Sequence, residues 1–253
     1  DKPKAFVTLN EKTLIQHALE NIADVPALEQ VIVAVPAGHE SKTASIVEAA
    51  LAGKNYFLQY VPNQKLDSLT TGNHQGVIAM IPPISYQEIE PLIDQWLEEG
   101  KKPSVLVLDR ITDVRNFGAI IRSAECMGVD AILIPSKGSA LATADAMKAS
   151  AGALNRLPIC KTEQLKQSLF YLQQSGLRLV ACTEKALVPL HETNLRGSVA
   201  IIMGSEESGI TQDLINMADI SCKIPMKGAI SSLNVGVATG MVLYERTRQE
   251  LVG

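Results

Sequence analysis

Short apolar runs that alternate with helix-like stretches constrain the fold of the second part of the chain more than any other feature. Each run is long enough for a buried strand, and each intervening stretch has the apolar spacing of a helix. Because parallel strands need crossover connections, this order predicts an α/β fold whose parallel sheet is covered by helices on both faces. The predicted strands are 105–109, 131–134, 177–182, 199–203 and 221–225, and the predicted helices are 118–127, 142–150, 163–174 and 233–248.

The first part of the chain predicts a separate and smaller α/β unit. Its predicted strands are 5–9, 31–35, 56–61 and 76–81, and its predicted helices are 14–22 and 41–51. A polar-faced helix over 87–98, in which Pro91 is tolerated only within the first turn, then leads into a linker at 99–103. We therefore expect a small α/β domain over 1–83, a helix and linker over 84–102, and a second domain over 103–253.

The distribution of charge separates the same two parts of the chain. Residues 1–100 carry 6 Lys and Arg against 13 Asp and Glu, whereas residues 101–253 carry 17 against 14. The net charge of −4 argues mildly against a nucleic-acid partner, but all eight arginines lie after residue 100. Because arginine suits bidentate contact with phosphate, we expect any RNA to contact mainly the second part.

The cysteines and the absent motifs narrow the class of protein further. Cys126, Cys160, Cys182 and Cys222 are 34, 22 and 40 residues apart, which argues against a zinc site. A reduced, cytoplasmic setting is the simplest expectation. No apolar run is long enough to span a bilayer, the N-terminus lacks the apolar stretch of a secretory signal, and no phosphate-binding loop or nucleophile elbow occurs.

Three segments place polar or small residues directly after predicted strands. In a parallel sheet, the carboxyl ends of the strands form the edge at which ligands bind. The first segment is 109–122, in which Asn116 can cap a helix that carries Arg122. Taken alone, this segment is equally compatible with a loop that carries a solvated arginine.

The second and third segments also place small or polar residues directly after a predicted strand. In 201–210, Gly204 allows close backbone approach, and Glu206 is a carboxylate at the end of a strand. In 224–240, a Gly/Ser loop precedes a helix of small residues, which Ser232 or the serine before it can cap. A structural turn and an ordinary capped helix are the alternative interpretations of these two segments.

Together and in this order, the three segments resemble the sequence motifs of the SpoU/TrmH family of RNA ribose methyltransferases. The matching residues are N-x-G-A-x-x-R-S-A at 116–124, M-G-S-E-x-x-G at 203–209 and I-P-M-x-G…S-L-N-V at 224–235. The resemblance extends over about 103–250. It is closest to the bacterial branch that methylates a guanosine of 23S ribosomal RNA.

The resemblance implies a trefoil-knotted α/β domain that binds S-adenosylmethionine and methylates RNA without a metal. It also implies a substrate-recognition role for the first domain, and a homodimer in which each active site borrows residues from the partner chain. The residues implied for cofactor binding are Thr183, Met203, Gly204, Ile224, Met226 and Leu233. Those implied for catalysis are Arg122, Asn116, Glu206, Ser232 and Asn234.

The implied chemistry requires a ribose hydroxyl to be aligned and to lose its proton. Arg122 is a poor general base because a guanidinium is hard to deprotonate, but it can bind the neighbouring phosphate and lower the pKa of the hydroxyl. Glu206 is the other candidate for orienting the hydroxyl or accepting its proton. Gly236 stands where the family often has serine, and we expect it to loosen the start of the last helix.

Two alternative functions remain open at this point. One is methylation of transfer RNA, and the other is a non-catalytic RNA-binding assembly factor with the same fold. The presence of Arg122, Glu206 and Asn234 argues against the non-catalytic alternative. The additional N-terminal domain favours ribosomal over transfer RNA.

Overall fold

The protein is described by a computed structural model that covers residues 8–9, 12–23, 30–35, 39–52, 57–70, 72, 74, 76–80, 84–230 and 232–252. It separates into two compact units, one ending at Pro82 and the other starting at Pro83. The alternative capping serine at 231 lies outside the described residues, as does part of the predicted strand 5–9.

The first unit contains a three-stranded sheet in which β3 (Gln30–Ala34) lies between β4 (Phe57–Val61) and β5 (Val77–Met80), parallel to β4 and antiparallel to β5. Val31 of β3 packs in one core cluster with Ile15, whereas Ile32 packs in another with Leu66. The strands are β1 (Thr8–Leu9), β2 (Lys12–Thr13), β3 (Gln30–Ala34), β4 (Phe57–Val61) and β5 (Val77–Met80). The helices are α1 (Leu14–Ala23), α2 (Glu40–Ala50) and α3 (Asn63–Leu69).

The second unit is built on a parallel sheet with the strand order β10-β12-β9-β11-β6-β7-β8 among the described residues. Its strands are β6 (Ser104–Asp109), β7 (Ala131–Pro135), β8 (Ile159–Thr162), β9 (Arg178–Cys182), β10 (Val188–Pro189), β11 (Val199–Gly204) and β12 (Ile220–Lys223). The central strands β6 and β11 pair along their whole length, which puts Asp109 beside Gly204. The predicted α/β fold with a parallel sheet is confirmed.

Helices cover both faces of this sheet. They are α4 (Ile89–Glu98), α5 (Val114–Cys126), α6 (Ala144–Ala149), α7 (Leu165–Gln174), α8 (Gln212–Met217) and α9 (Val235–Leu251). Leu106 packs on one face with Phe117 and Val242, whereas Val107 packs on the other with Leu169. Within the described ranges, no helix is both long and apolar enough to cross a membrane.

Helix α4 packs within the second unit. Its Ile89 and Ile93 are fully buried with residues of the parallel sheet. Pro91 is the third residue of the helix and lies in the first turn, as expected. The boundary between the two compact units therefore precedes this helix.

Helix α5 begins earlier than the sequence suggested, and Asn116 is not its cap. The N-cap is Asp113, whose carboxylate accepts a hydrogen bond from the backbone N–H of Asn116 at 2.7 Å. Asp113 lies three residues before Asn116 and satisfies a free N–H of the first turn. The side chain of Asn116 is therefore available for other contacts.

Helix α9 begins at Val235, two residues later than predicted. Its N-cap is Asn234, whose Oδ1 accepts hydrogen bonds from the backbone N–H groups of Gly236 and Val237 at 3.0 and 3.2 Å. The prediction that Ser232 caps this helix is wrong, because Asn234 directly precedes the first turn and satisfies its N–H groups.

Candidate active site

A cavity of about 500 Å³ lies where the loops that follow β9, β11 and β12 meet. These strands are neighbours in the sheet, and their carboxyl ends form the edge at which parallel sheets bind ligands. The cavity is lined by all the residues implied for the cofactor, namely Thr183, Met203, Gly204, Ile224, Met226 and Leu233. Glu206 and the exposed Ser232, both implied for catalysis, line it as well.

The chemistry of the lining fits S-adenosylmethionine. Met203, Ile224 and Leu233 offer apolar surface suited to a purine, whereas Thr183 and Lys185 offer polar groups suited to hydroxyl and carboxylate oxygens. A volume of about 500 Å³ falls in the usual range of small-molecule sites. Among the described residues, no group of three His, Cys, Asp or Glu side chains could hold a metal ion.

Gly204 is required by the close approach of the loop that follows it. A Cβ atom at this position would lie 2.1 Å from the carbonyl carbon of Gly209 and 2.2 Å from the backbone nitrogen of Ile210. The loop folds back on itself because Gly209 has a φ of +65°, and the N–H of Gly209 donates to the carbonyl of Ser205 at 2.9 Å. A larger residue at 204 would therefore push this wall of the cavity out of place.

Asn116, Glu206 and Asn234 form a hydrogen-bonded cluster at the cavity. The Nδ2 of Asn234 donates to Glu206 Oε1 at 2.6 Å and to Asn116 Oδ1 at 2.9 Å. The backbone N–H of Val235 donates to the same Glu206 Oε1 at 3.1 Å. None of the described residues donates to Oε2, so this oxygen is available to a ligand. The structure thus brings three of the predicted catalytic residues together.

A second cavity, of about 240 Å³, adjoins this cluster. It is lined by the loop after β6, by Asn116 and by the loop that carries Glu206. Both cavities share residues 205–208 and Val235 as walls. The polar cluster therefore lies at the boundary between two cavities, an arrangement suited to a reaction between two bound molecules.

Asp109 and Arg110 were not predicted as site residues, yet they fix the loops around both cavities. Asp109 is buried and accepts hydrogen bonds from the N–H and the hydroxyl of Thr211, both at 2.6 Å. Arg110, at a φ of +58°, donates to Asp109 at 3.1 Å and to the carbonyl of Gly209 at 3.3 Å. The hydrogen bonds of these two residues connect the end of β6 to the loop that follows β11. The sequence signal that could have identified Asp109 is an acidic residue at the end of an apolar strand.

Arg122 is a predicted catalytic residue that a single chain does not bring to the cluster. It is exposed on α5, lines neither cavity, and makes no hydrogen bond or ion pair with the described residues. It follows Asn116 by six residues, which turns its side chain by roughly 120° around the helix axis. Two residues of one sequence motif therefore point in different directions.

Two family models match the chain, one in each part. A model described as the SpoU rRNA Methylase family matches residues 103–244, more than half of the chain. A model described as RNA 2'-O ribose methyltransferase substrate binding matches residues 12–87.

Individual relatives agree with these matches. The chain is 38% identical to the 23S rRNA (guanosine-2'-O-)-methyltransferase RlmB of Vibrio vulnificus (strain CMCP6), over 77% of this chain and 78% of that protein. It is 34% identical to the protein of the same name from Pasteurella multocida (strain Pm70), over 94% of each. The crystal structure of an RNA 2'-O ribose methyltransferase is 26% identical, with a TM-score of 0.57 over 95% of this chain and 88% of that one.

The fold and the site define an S-adenosylmethionine-dependent RNA 2'-O-ribose methyltransferase. The chain belongs to the SpoU rRNA methylase family. The predictions of the family, of an enzyme that methylates RNA, and of S-adenosylmethionine as its cofactor are confirmed.

Proposed function

We propose that this enzyme methylates the ribose 2'-hydroxyl of a guanosine in 23S ribosomal RNA. The observation that carries the proposal is the pair of adjoining cavities with the cluster of Asn116, Glu206 and Asn234 at their boundary. The names of the Vibrio and Pasteurella relatives suggest the RNA and the nucleotide. The match of residues 12–87 to a substrate-binding model supports a first domain, over 1–83, that helps to select the RNA.

The larger cavity is assigned to the cofactor, which when bound supplies a methyl group already activated on a sulfonium. Met203, Ile224, Met226 and Leu233 form the apolar part of this site, and Thr183 forms part of its polar side. Backbone groups beside Gly204 become accessible because this residue carries no side chain.

The smaller cavity is assigned to the substrate ribose. A hydroxyl is a weak nucleophile, so the enzyme must align it and remove its proton. Glu206 Oε1 is held by Asn234 and Val235, which fixes the carboxylate and leaves Oε2 to accept the hydroxyl proton. Asn116, which lines the smaller cavity, and Ser232, which lines the larger one, are assigned the orientation of the ribose where the two cavities adjoin.

Arg122 is assigned a stabilising charge beside the hydroxyl rather than the role of a base. A guanidinium remains protonated in proteins and cannot accept the proton. Next to the hydroxyl and the adjacent phosphate, its charge would lower the pKa of the hydroxyl and favour the oxyanion. Since Arg122 points away from Asn116 within one chain, this role requires the arginine of a second copy.

A homodimer formed through α5 and α9 would meet this requirement. Helix α9 exposes Val237, Met241 and Tyr244 by 54%, 44% and 60%, at positions i, i+4 and i+7 of one helix face. A Cβ at Gly236 would lie 3.6 Å from that of Ala119, so the exposed side of α5 borders this apolar stripe. The shared active site and the knot implied by the resemblance belong to the same proposal.

Transfer of labelled methyl groups to RNA from cells that lack this modification tests the substrate. We expect label in 23S RNA, recovered as 2'-O-methylguanosine after digestion to nucleosides. Label confined to transfer RNA would retain the enzyme class and contradict the proposed substrate. Failure to label any RNA while S-adenosylmethionine still binds would contradict the assignment of the smaller cavity.

A further inference from the structure

Cys182 and Cys222 form a pair of thiols at the edge of the cofactor cavity. They are direct partners on the neighbouring parallel strands β9 and β12, and their Sγ atoms are 3.3 Å apart. Cys182 is half-buried and lines the cavity, whereas Cys222 is fully buried. The other two cysteines, Cys126 on α5 and Cys160 on β8, lie on different elements.

The positions of the two strands permit a disulfide. Neighbouring strands lie about 4.8 Å apart, within the range of about 4.4–6.8 Å that separates the Cα atoms of disulfide-bonded cysteines. From 3.3 Å, the two sulfurs must approach by about 1.3 Å to reach the bond length of about 2.0 Å. Both side chains already face each other, so a small rearrangement suffices.

The two thiols differ in acidity and in access. The hydrogen bond with Cys222, together with burial, raises the pKa of Cys182. The same hydrogen bond lowers the pKa of Cys222, with help from Thr193. Cys222 is therefore the more acidic thiol, but only Cys182 lines the cavity, so access rather than acidity makes Cys182 the first thiol to meet an oxidant there.

We propose that Cys182 and Cys222 are a redox-modification site, which a hydroperoxide converts into a disulfide that weakens cofactor binding. This inference rests on the proposed role of the larger cavity. Thr183 follows one cysteine directly and Ile224 follows the other by two residues, and both line the cavity. The N–H of Thr183 also donates to the carbonyl of Cys222 at 2.9 Å. Even the small approach of the sulfurs acts on backbone next to Thr183 and Ile224, so we expect it to shift both residues relative to the cofactor.

The oxidation balances in two steps. The sulfur of Cys182 attacks one peroxide oxygen, and cleavage of the O–O bond gives a sulfenic acid and water when hydrogen peroxide is the oxidant. The sulfur of Cys222 then attacks the sulfenic sulfur, which forms the disulfide and releases a second water. The two thiols lose two electrons and two protons in total, and a dithiol reductant reverses the change.

By thermodynamic linkage, bound cofactor must also affect the formation of the disulfide. A disulfide that weakens cofactor binding must itself be disfavoured by bound cofactor by the same factor. A filled cavity also covers Cys182, so we expect S-adenosylmethionine to slow its oxidation.

The test exposes the reduced full chain to hydrogen peroxide and follows both thiols and cofactor affinity. Cys126→Ser is introduced throughout, because Cys126 is exposed and would link separate chains. Peptide mass spectrometry is expected to show a bond between Cys182 and Cys222, with a mass lower by two hydrogens. Calorimetric titration is expected to show S-adenosylmethionine bound about tenfold more weakly, and dithiothreitol should restore the affinity.

Matched variants separate this bond from other oxidation. Cys222→Ser is expected to bind the cofactor like the reduced protein and to lose the reversible response. Cys160→Ser, which alters another buried cysteine, should keep that response.

Two results would overturn the inference: sulfurs that remain unlinked in peroxide, or a bond that leaves the affinity unchanged. The bond is mapped in a chain that retains both cysteines, so the result does not depend on the folding of Cys222→Ser. A reduced protein that fails to bind S-adenosylmethionine would overturn the proposed function as well.

Discussion

The larger cavity and the exposed side of α5 differ in how many of the predicted site residues one chain brings together. At the cavity, three loops of the same chain bring together every residue implied for the cofactor. On α5, Arg122 lies exposed and without a partner among the described residues. Asn116 and Arg122 belong to one sequence motif, yet only Asn116 meets the polar cluster. The comparison teaches that one sequence motif can place its two polar side chains in different surroundings, which is why the proposed role of Arg122 needs a second copy of the chain.

Replacing Arg122 is expected to have the largest effect on this comparison. Arg122→Ala should lower the rate of methyl transfer by about 10²–10³-fold, because it removes a charge that stabilises the oxyanion. Its affinity for S-adenosylmethionine, measured by calorimetry, should not change, because Arg122 does not line the cavity. Arg156→Ala removes another exposed arginine and serves as the control. Full turnover in Arg122→Ala would exclude this residue from the mechanism.

Glu206→Gln tests the proton acceptor at the boundary of the cavities. Glutamine can keep the Oε1 contacts with Asn234 and Val235 but cannot accept a proton, so we expect about a 10²-fold loss of rate. Single-turnover kinetics at saturating cofactor measure this loss. Glu192→Gln, at an exposed carboxylate that lines neither cavity, is the matched control. A variant that retains the normal rate would exclude Glu206 as the proton acceptor and leave it only a structural role at the start of α9.

Gly204→Ala tests whether close packing at Gly204 shapes the cofactor cavity, without altering a catalytic side chain. The added Cβ collides with the backbone of Gly209 at 2.1 Å, so we expect the free energy of unfolding to fall by about 1–3 kcal/mol. Cofactor affinity should fall as well, and denaturant titration with calorimetry measures both quantities. Gly228→Ala, where the added Cβ meets no atom within 4 Å, should leave both unchanged. Equal behaviour of the two variants would contradict the packing described at Gly204.

The smallest effect is expected at the helix cap that supports the cluster. Asn234→Ala should lower the free energy of unfolding by about 1 kcal/mol, because the first turn of α9 loses its cap. Asn234→Ser restores a capping oxygen but lacks the Nδ2 that binds Glu206 and Asn116. We therefore expect thermal unfolding to show normal stability for Asn234→Ser, with a reduced rate of methylation. A normal rate would show that Asn234 serves only the helix.

The strands and the loops after them could be predicted because their signals are local. The apolar run that ends at Asp109 and the small residues after Met203 mark the edge of a parallel sheet wherever the chain places it. The same local reasoning failed at the helix starts, where the caps are Asp113 and Asn234 instead of Asn116 and Ser232, because all four side chains are of types that cap helices.

Other features depend on contacts between distant segments, which periodicity does not report. Strands β8 and β10 and helices α3 and α8 were missed because segments of two to seven residues carry too little pattern. Only the fold brings together the distant positions that form the hydrogen bond between Thr211 and Asp109. The same holds for the contact between the thiols of Cys182 and Cys222. The direction of Arg122 follows from where α5 begins and how it packs, which the motif does not reveal.

Mixing two inactive variants tests the shared active site most directly. Arg122→Ala retains the cavity, whereas Leu233→Arg blocks it and retains the arginine. Co-expression with different tags yields mixed dimers in which one site combines the intact cavity with the intact arginine. In an equal mixture, half of the dimers are mixed and each has one complete site, so the account predicts about one quarter of normal methyl transfer. Purified mixed dimers that remain inactive would contradict it.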